Sequence, residues 1–432
     1  MGRKSKYKHL QVILNGERVG VLSRNLSGSL EFTYSPDWLQ STHAMPISQS
    51  LPLRELSYRG PEVVAYFDNL LPDNDEIRNR ITERMATEGK GTLDLLAAIG
   101  RDCVGALQFI PEGESVEKSG IVEGEPITDR EIGNILRNLK SAPLGLDRLK
   151  EFRISIAGAQ EKTALLRWKG HWYRPKGPTP TTHILKPAMG KLPNGIDMSE
   201  SVSNEWFCLK LIEHFGLPVA KAEIRKFDGI ECLVVERFDR EWSNNGKYLK
   251  RLPQEDLCQA LGVPWSRKYE SDGGPGIITI MDFLNASDRR DKDREQFLRA
   301  QIVFFLLGAI DGHAKNFSIK LFSSGFQLTP LYDVMSIFPA LARRQIEPKQ
   351  AKLAMSVGDN IHYRPNEIHR RHWEQTAKKT GFPLRELQTL IQNLFNQESK
   401  LDTLVDRIGK NVSLKLIHSV VAGISRHLKS LL

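Results

Sequence analysis

The chain has 432 residues, 40% of them hydrophobic and 26% charged, which is enough to bury the cores of two or three domains and reads as an ordinary soluble globular protein. Its 61 basic against 52 acidic residues give a net charge of +9, which permits contact with nucleic acid or an acidic protein and demands neither. No run approaches the roughly 18 apolar residues of a membrane helix, no zinc-finger or bZIP pattern occurs, and four scattered cysteines without C-x-x-C spacing point to a reducing cytoplasm.

The chain opens on LQVIL and ERVGVL around Asn15-Gly16, a hairpin signal because both turn positions need positive φ. Helical periodicity predicts helices over 61–85 and in TLDLLAAIG, then a short strand VGALQFIP. Residues 112–126 are polar and Gly-rich and read as a loop. Thr128 and Glu131 form a T-x-x-E capping box for the helix DREIGNILRNLK, and a domain boundary is expected near residue 148. From 152 to 187 the pattern returns to strands: FRISI, a small-residue loop AGAQEK, TALLRW, HWYRP and THILKP. An amphipathic helix ESVSNEWFCLKLIEHFG and a hairpin AEIRKF/IECLVVERF around Asp228-Gly229 complete a β-rich layer over 149–240. Beyond 240, in a third region 241–432, the chain reads as mainly helical, with no internal repeat.

The segment GAIDGHAKNFSIKLF sets Asp311 and Asn316 directly after the apolar helix REQFLRAQIVFFLLGAI. Asp-x-x-x-x-Asn alone is weak, since Asp129/Asn134, Asp239/Asn244 and Asp406/Asn411 share it. Context separates Asp311: a hairpin NFSIKLF/FQLTPLYD carries the chain on to Asp333, and helix, Asp-x-x-x-x-Asn, hairpin, Asp is the order in which a protein kinase supplies its base and metal ligands. Phosphoryl transfer needs Mg²⁺ on the phosphate oxygens, and the carboxylate and amide oxygens of Asp333 and Asn316 suit that hard ion. Asp311 would orient the attacking hydroxyl and accept its proton. Upstream, Gly158 between two alanines allows backbone N–H groups to approach phosphates. Lys186, ending the strand THILK, has the place of the lysine that grips α- and β-phosphates, and Glu205 could pair with it or the two could be ordinary surface charges. VVERF, 234–238, has the place of a lobe connection whose backbone meets adenine. GKGT (89–92) lacks P-loop spacing, His313 alone is no metal site, and ESDGGPG (270–276) reads as a flexible loop, a candidate to lie beside the substrate.

Taken together, RISIAGAQEKTALL, THILKP, VERFDR, RLPQED, KYESDGGPGI, DGHAKNFS and LTPLYDV resemble the HipA family of bacterial toxin kinases, from the N-terminal strands through at least residue 336. The resemblance implies an α+β, two-lobed protein-kinase-like fold: an extra N-terminal α/β subdomain (1–148), an ATP-grasping β-rich lobe (149–240) and a mainly helical lobe (241–432). It implies a serine/threonine kinase using ATP and Mg²⁺, with Asp311 as base and Asn316 and Asp333 as metal ligands. The nucleotide contacts it implies are Ala157, Gly158, Ala159, Gln160, Glu161, Lys162, Lys186, Glu236, Phe238, His313, Asn316 and Asp333. Ser155 matches the serine that family members autophosphorylate to switch off. The family's best-known target is glutamyl-tRNA synthetase, whose phosphorylation starves translation and promotes persistence. Its antitoxin, HipB, is a helix-turn-helix repressor through which the toxin reaches operator DNA. The chain departs from ordinary protein kinases: no His-Arg precedes Asp311, Tyr-Asp-Val replaces Asp-Phe-Gly, no Ala-Pro-Glu follows, and His313 stands where many kinases have lysine. Activation-loop control is therefore not expected. Phosphorylation of a small molecule or lipid, or a non-catalytic corepressor role, are the competing classes; the intact Asp311, Asn316, Asp333 and Lys186 argue against the last.

Overall fold

Asn15 and Gly16 take φ of 48° and 91° and close the hairpin between His9–Leu14 and Glu17–Arg24. This computed structural model describes residues 9–25, 27–116, 122–146, 152–243, 246–408 and 411–432. The chain divides into two compact units: residues 1–187, 225–266 and 319–325, and residues 188–224, 267–318 and 326–432. The boundary expected near residue 148 lies outside the described residues.

In the first unit the hairpin grows into a five-stranded antiparallel sheet in the order Tyr58–Arg59, Leu30–Tyr34, Glu17–Arg24, His9–Leu14, Leu107–Pro111. Alternate residues Leu10, Val12, Phe32 and Phe109 point inward and are fully buried, as period-two patterning requires. Phe67, from the helix Pro61–Asp68, caps them, tilted against Phe32 at 5.4 Å and edge-on to Phe109 at 5.8 Å. A second sheet has six strands in the order Ala222–Phe227, Ile230–Glu236, His183–Pro187, Thr163–Trp168, His171–Pro175, Gly124–Pro126. The helix Asp129–Arg137, opened by the Thr128/Glu131 capping box, buries Ile132 and Leu136 among Leu165, Leu185, Phe227 and Val234.

The helical reading of 61–85 resolves into two helices, Pro61–Asp68 and Asp75–Met85, because Pro72 cannot donate within a helix and Asn74 caps the second one through Glu76 and Ile77. Three expectations are corrected. FRISI is not a strand: Phe152, Ile154 and Ile156 are buried, but Ser155 N–H bonds Asp102 O at 3.0 Å outside any ladder. Gly124–Pro126, read as loop, is the edge strand facing His171–Pro175. The region after 240 begins with strands, Arg240–Ser243 paired to Tyr248–Arg251 and then Gln254–Asp256, before the short helix Leu257–Ala260.

A buried ion cluster stitches this unit together. Asp102 Oδ2 accepts from Thr181 N (3.0 Å), Thr181 Oγ1 (2.7 Å) and Arg237 Nη1 (3.3 Å), while Oδ1 accepts from Arg240 Nη2 and Arg251 Nε, both at 3.0 Å. Asp239 bonds Arg237 and the Gly105 N–H. Burial alone would raise the Asp102 pKa, but Arg240, Arg251 and Arg237 outweigh it and hold the carboxyl far below its ordinary value. A second buried acid is treated differently. Glu255 is fully buried, accepts from Ser48 Oγ (2.5 Å) and Gln49 N (2.8 Å), and burial pushes its pKa up to about 8 despite those donors.

The second unit is mainly helical. Arg290–Leu307 is its central helix, with Phe297, Val303, Phe304 and Phe305 buried. The helix Leu414–Lys429 stacks His427 on Phe305 at 4.6 Å, and Arg370–Thr380 adds the buried Trp373. Among the described residues no helix is long and apolar enough to cross a membrane.

Candidate active site

Asp311 is delivered by the way the central helix stops. Gly308 takes the left-handed cap conformation (φ 60°), and Ala309 N–H bonds back to Phe304 O at 2.8 Å. The chain then doubles over the helix so closely that a Cβ at Gly312 would lie 2.4 Å from the Phe304 ring. This leaves the Asp311 side chain 59% exposed while His313 beside it is buried. A short 3-10 turn, Ala314–Asn316, follows. Asn316 Nδ2 donates to Asp311 O at 2.7 Å and to Asp333 O at 3.4 Å, so a single amide joins the two segments that carry the predicted base and the second metal ligand.

Asp333 is fixed from both sides. Leu331 is held by Pro218 O and by Ala220 N–H, each at 2.8 Å, and Ser336 is gripped by Asn204, which accepts from its N–H (2.9 Å) and donates to its O (2.8 Å). Between these clamps Asp333 has φ 59°, a left-handed conformation that a residue other than glycine holds only when its surroundings impose it. The Asp311 carboxylate accepts a bond from Tyr269 OH, its Oδ1 lies 3.7 Å from His313 Nε2, and the Tyr269 ring meets the His313 ring edge-on at 4.9 Å. The structure thus brings Asp311, His313, Asn316 and Asp333 together within the second unit. Glu205 is buried on the helix Ser201–His214 of the same unit.

The remaining predicted residues lie in the first unit. Ser155 is fully buried and donates to Leu70 O at 2.7 Å; Asp73 N–H bonds Gly158 O at 3.3 Å, and Pro72 bridges Gly158. The turn 69–74 between those two helices is therefore the seat of the small-residue loop. Gly158 has φ 102°, and a Cβ there would lie 2.5 Å from Lys162 Nζ, which donates to Ala157 O at 2.8 Å. Gln160 donates to Pro187 O (3.2 Å) and Glu161 pairs with Arg80 (2.6 Å); Ala159 lies between Gly158 and Gln160. Lys186 is buried on His183–Pro187 opposite Leu233, and Glu236, opposite His183, is exposed, with half-buried Phe238 two residues on.

The donor set at Asn316 and Asp333 consists of hard oxygens and fits Mg²⁺. Among the described residues no group of three or more His, Cys, Asp and Glu offers an alternative metal site. Two features escaped sequence reasoning. Residues 270–276 are no flexible loop: Glu270 N–H bonds Ala354 O (3.2 Å), its carboxylate accepts from Ser356 Oγ (3.0 Å), and a Cβ at Gly274 would lie 2.1 Å from Arg267 O. The other is Tyr269, whose aromatic hydroxyl next to the Gly-rich stretch was the one available signal.

Comparison with known proteins adds a lineage to this geometry. Residues 154–401 match the family described as HipA-like C-terminal domain, and residues 10–110 the HipA N-terminal domain. The chain is 33% identical over 395 residues, 90% of each protein, to Y4mE of Sinorhizobium fredii. It is 29% identical over 397 residues, 89% of this chain and 86% of the other, to the serine/threonine-protein kinase toxin HipA of Shewanella oneidensis. In structure it is similar to a chain of the Shewanella oneidensis HipA, HipB and operator DNA complex, with a TM-score of 0.78, 25% identity, and coverage of 98% of this chain and 96% of that one. The α+β fold expected from the sequence is borne out.

Proposed function

This chain belongs to the HipA family, and from that premise we propose that it is the toxin kinase of a toxin–antitoxin module, moving the γ-phosphoryl group of ATP to a serine of a protein involved in translation. The observation that carries the reading is the joint fixing of Asp311, Asn316 and Asp333 by one amide and two backbone clamps. Asp311 orients the acceptor hydroxyl and takes its proton as the new P–O bond forms and the bond to ADP breaks. Asn316 and Asp333 would hold Mg²⁺, which when bound supplies charge neutralisation at the phosphate oxygens. The loop Ala157–Lys162 with its N–H groups, and Lys186, would bind the phosphates; Glu236 and Phe238 would meet the base.

The finer assignments follow from the same family. The acceptor protein would be glutamyl-tRNA synthetase, Ser155 the site of self-modification, and the partner a HipB-like helix-turn-helix antitoxin that carries the chain to operator DNA. The solved complex of the Shewanella relative with HipB and operator DNA supports the last of these. Incubating the protein with Mg²⁺, γ-labelled ATP and a cell extract tests the core reading: label enters protein with the wild type and not with Asp311→Asn. Label in lipid or small metabolites instead would overturn it.

A further inference from the structure

Asp311 is exposed, and an exposed carboxylate on a loop rotates freely about χ2 unless something holds it. Tyr269 holds it. Its phenol donates to Asp311 Oδ1, and its ring is braced edge-on by His313, which is itself buried. The tyrosine is in turn fixed from its own backbone: Lys268 O accepts from Ala314 N–H (3.4 Å), and Glu270 is tied to Ala354 and Ser356. The fit is close enough that a Cβ at Gly276 would lie 2.2 Å from Glu270 Oε1. A Gly-rich strap thus runs from the catalytic loop to the segment 354–356 with one phenol projecting onto the base.

We propose that Tyr269 is a positioning residue for the phosphoryl transfer: by donating to Oδ1 it fixes the rotamer of the Asp311 carboxylate and leaves Oδ2 to the acceptor hydroxyl. The inference rests on the reading of Asp311 as base. Losing the donor frees the carboxylate to leave the productive rotamer. Removing the hydroxyl leaves the side chains of Asn316 and Asp333 unaltered, so nucleotide affinity should be unchanged.

The test is Tyr269→Phe, which keeps the ring against His313 and removes only the hydroxyl. Label transfer from γ-labelled ATP into extract protein should fall about tenfold, the scale of one hydrogen bond to a charged group, with ATP affinity by titration calorimetry unchanged. The loss should fall on kcat while the KM for ATP stays in place. A wild-type kcat overturns the proposal, as does a rate that falls only in step with lost ATP binding. Asp311→Asn in the same assay separates the two readings. If it transfers normally, the base assignment is wrong; if it is inactive while Tyr269→Phe is normal, only the positioning role is wrong.

Discussion

Glu255 offers a perturbation whose size can be worked out. Its ordinary value of 4.5 is raised to about 8 by burial, with Ser48 Oγ and Gln49 N–H pulling the other way and Asp256 adding to the rise. The folded protein therefore keeps a proton there that the unfolded chain releases above pH 4.5. The stabilisation linked to that proton is complete below the unfolded value and is lost as pH climbs to the folded one, at about 1.4 kcal/mol per pH unit. Between about pH 5.5 and 8.5 the wild type should lose about 3 kcal/mol through this group. Glu255→Gln mimics the protonated acid, offering a carbonyl to Gln49 N–H and a donor to Ser48 Oγ, and it does not titrate. Urea titrations at both pH values should then show the variant close to wild type at the lower pH and more stable by about 3 kcal/mol at the higher. Both proteins share every other titrating group, so the difference isolates this one. Parallel stability curves would refute the reasoning.

Asp311→Asn should abolish label transfer while ATP still binds, measured by calorimetry beside the transfer assay. Asp333→Ala should lose the Mg²⁺-dependent part of nucleotide affinity; equal affinity with and without Mg²⁺ in both proteins would count against its ligand role. Phosphopeptide mapping after incubation with Mg²⁺ and ATP should find Ser155 modified. That phosphate adds roughly −1.5 to −2 charges where Ser155 Oγ now bonds Leu70 O, so the modified fraction should bind ATP weakly, and tight binding by that fraction would rule out the switch. Asp102→Asn, which leaves three buried guanidiniums with Asp239 as their remaining carboxylate, should cost about 3–5 kcal/mol in a urea titration.

Where chemistry is local, the sequence was readable. Asn15-Gly16, the Thr128/Glu131 box and the helix that ends in Gly308 each specify their backbone within a few residues, and Asp311, Asn316 and Asp333 stood out together because their order along the chain carries meaning. FRISI failed because burial of alternate residues is shared by a strand and by an extended segment docked on Asp102 O and Leu70 O. The glycines of 273–276 looked like flexibility, whereas Gly274 and Gly276 are there for close approach to Arg267 O and the Glu270 carboxylate. Contacts across more than a hundred residues, such as Asp102 with Arg240, leave no short pattern to read.

The ion cluster around Asp102 also bears on how the protein can be taken apart. Its members come from 102–105, 181, 237–240 and 251, and backbone amides are enlisted as well: Thr181 N–H on Asp102, Gly105 N–H on Asp239, Arg237 N–H on Thr182 O. Opening any one of these strands charge in a dry interior, so they should open together, and their amides should exchange with deuterium at one common, slow rate. A fragment ending near residue 148 would carry Asp102 away from all three of its arginines. Split-protein designs that cut there should yield halves that are individually unstable and that recover their fold on mixing, with the reassembly driven by this buried pairing and weakened sharply by Arg240→Met on one half alone.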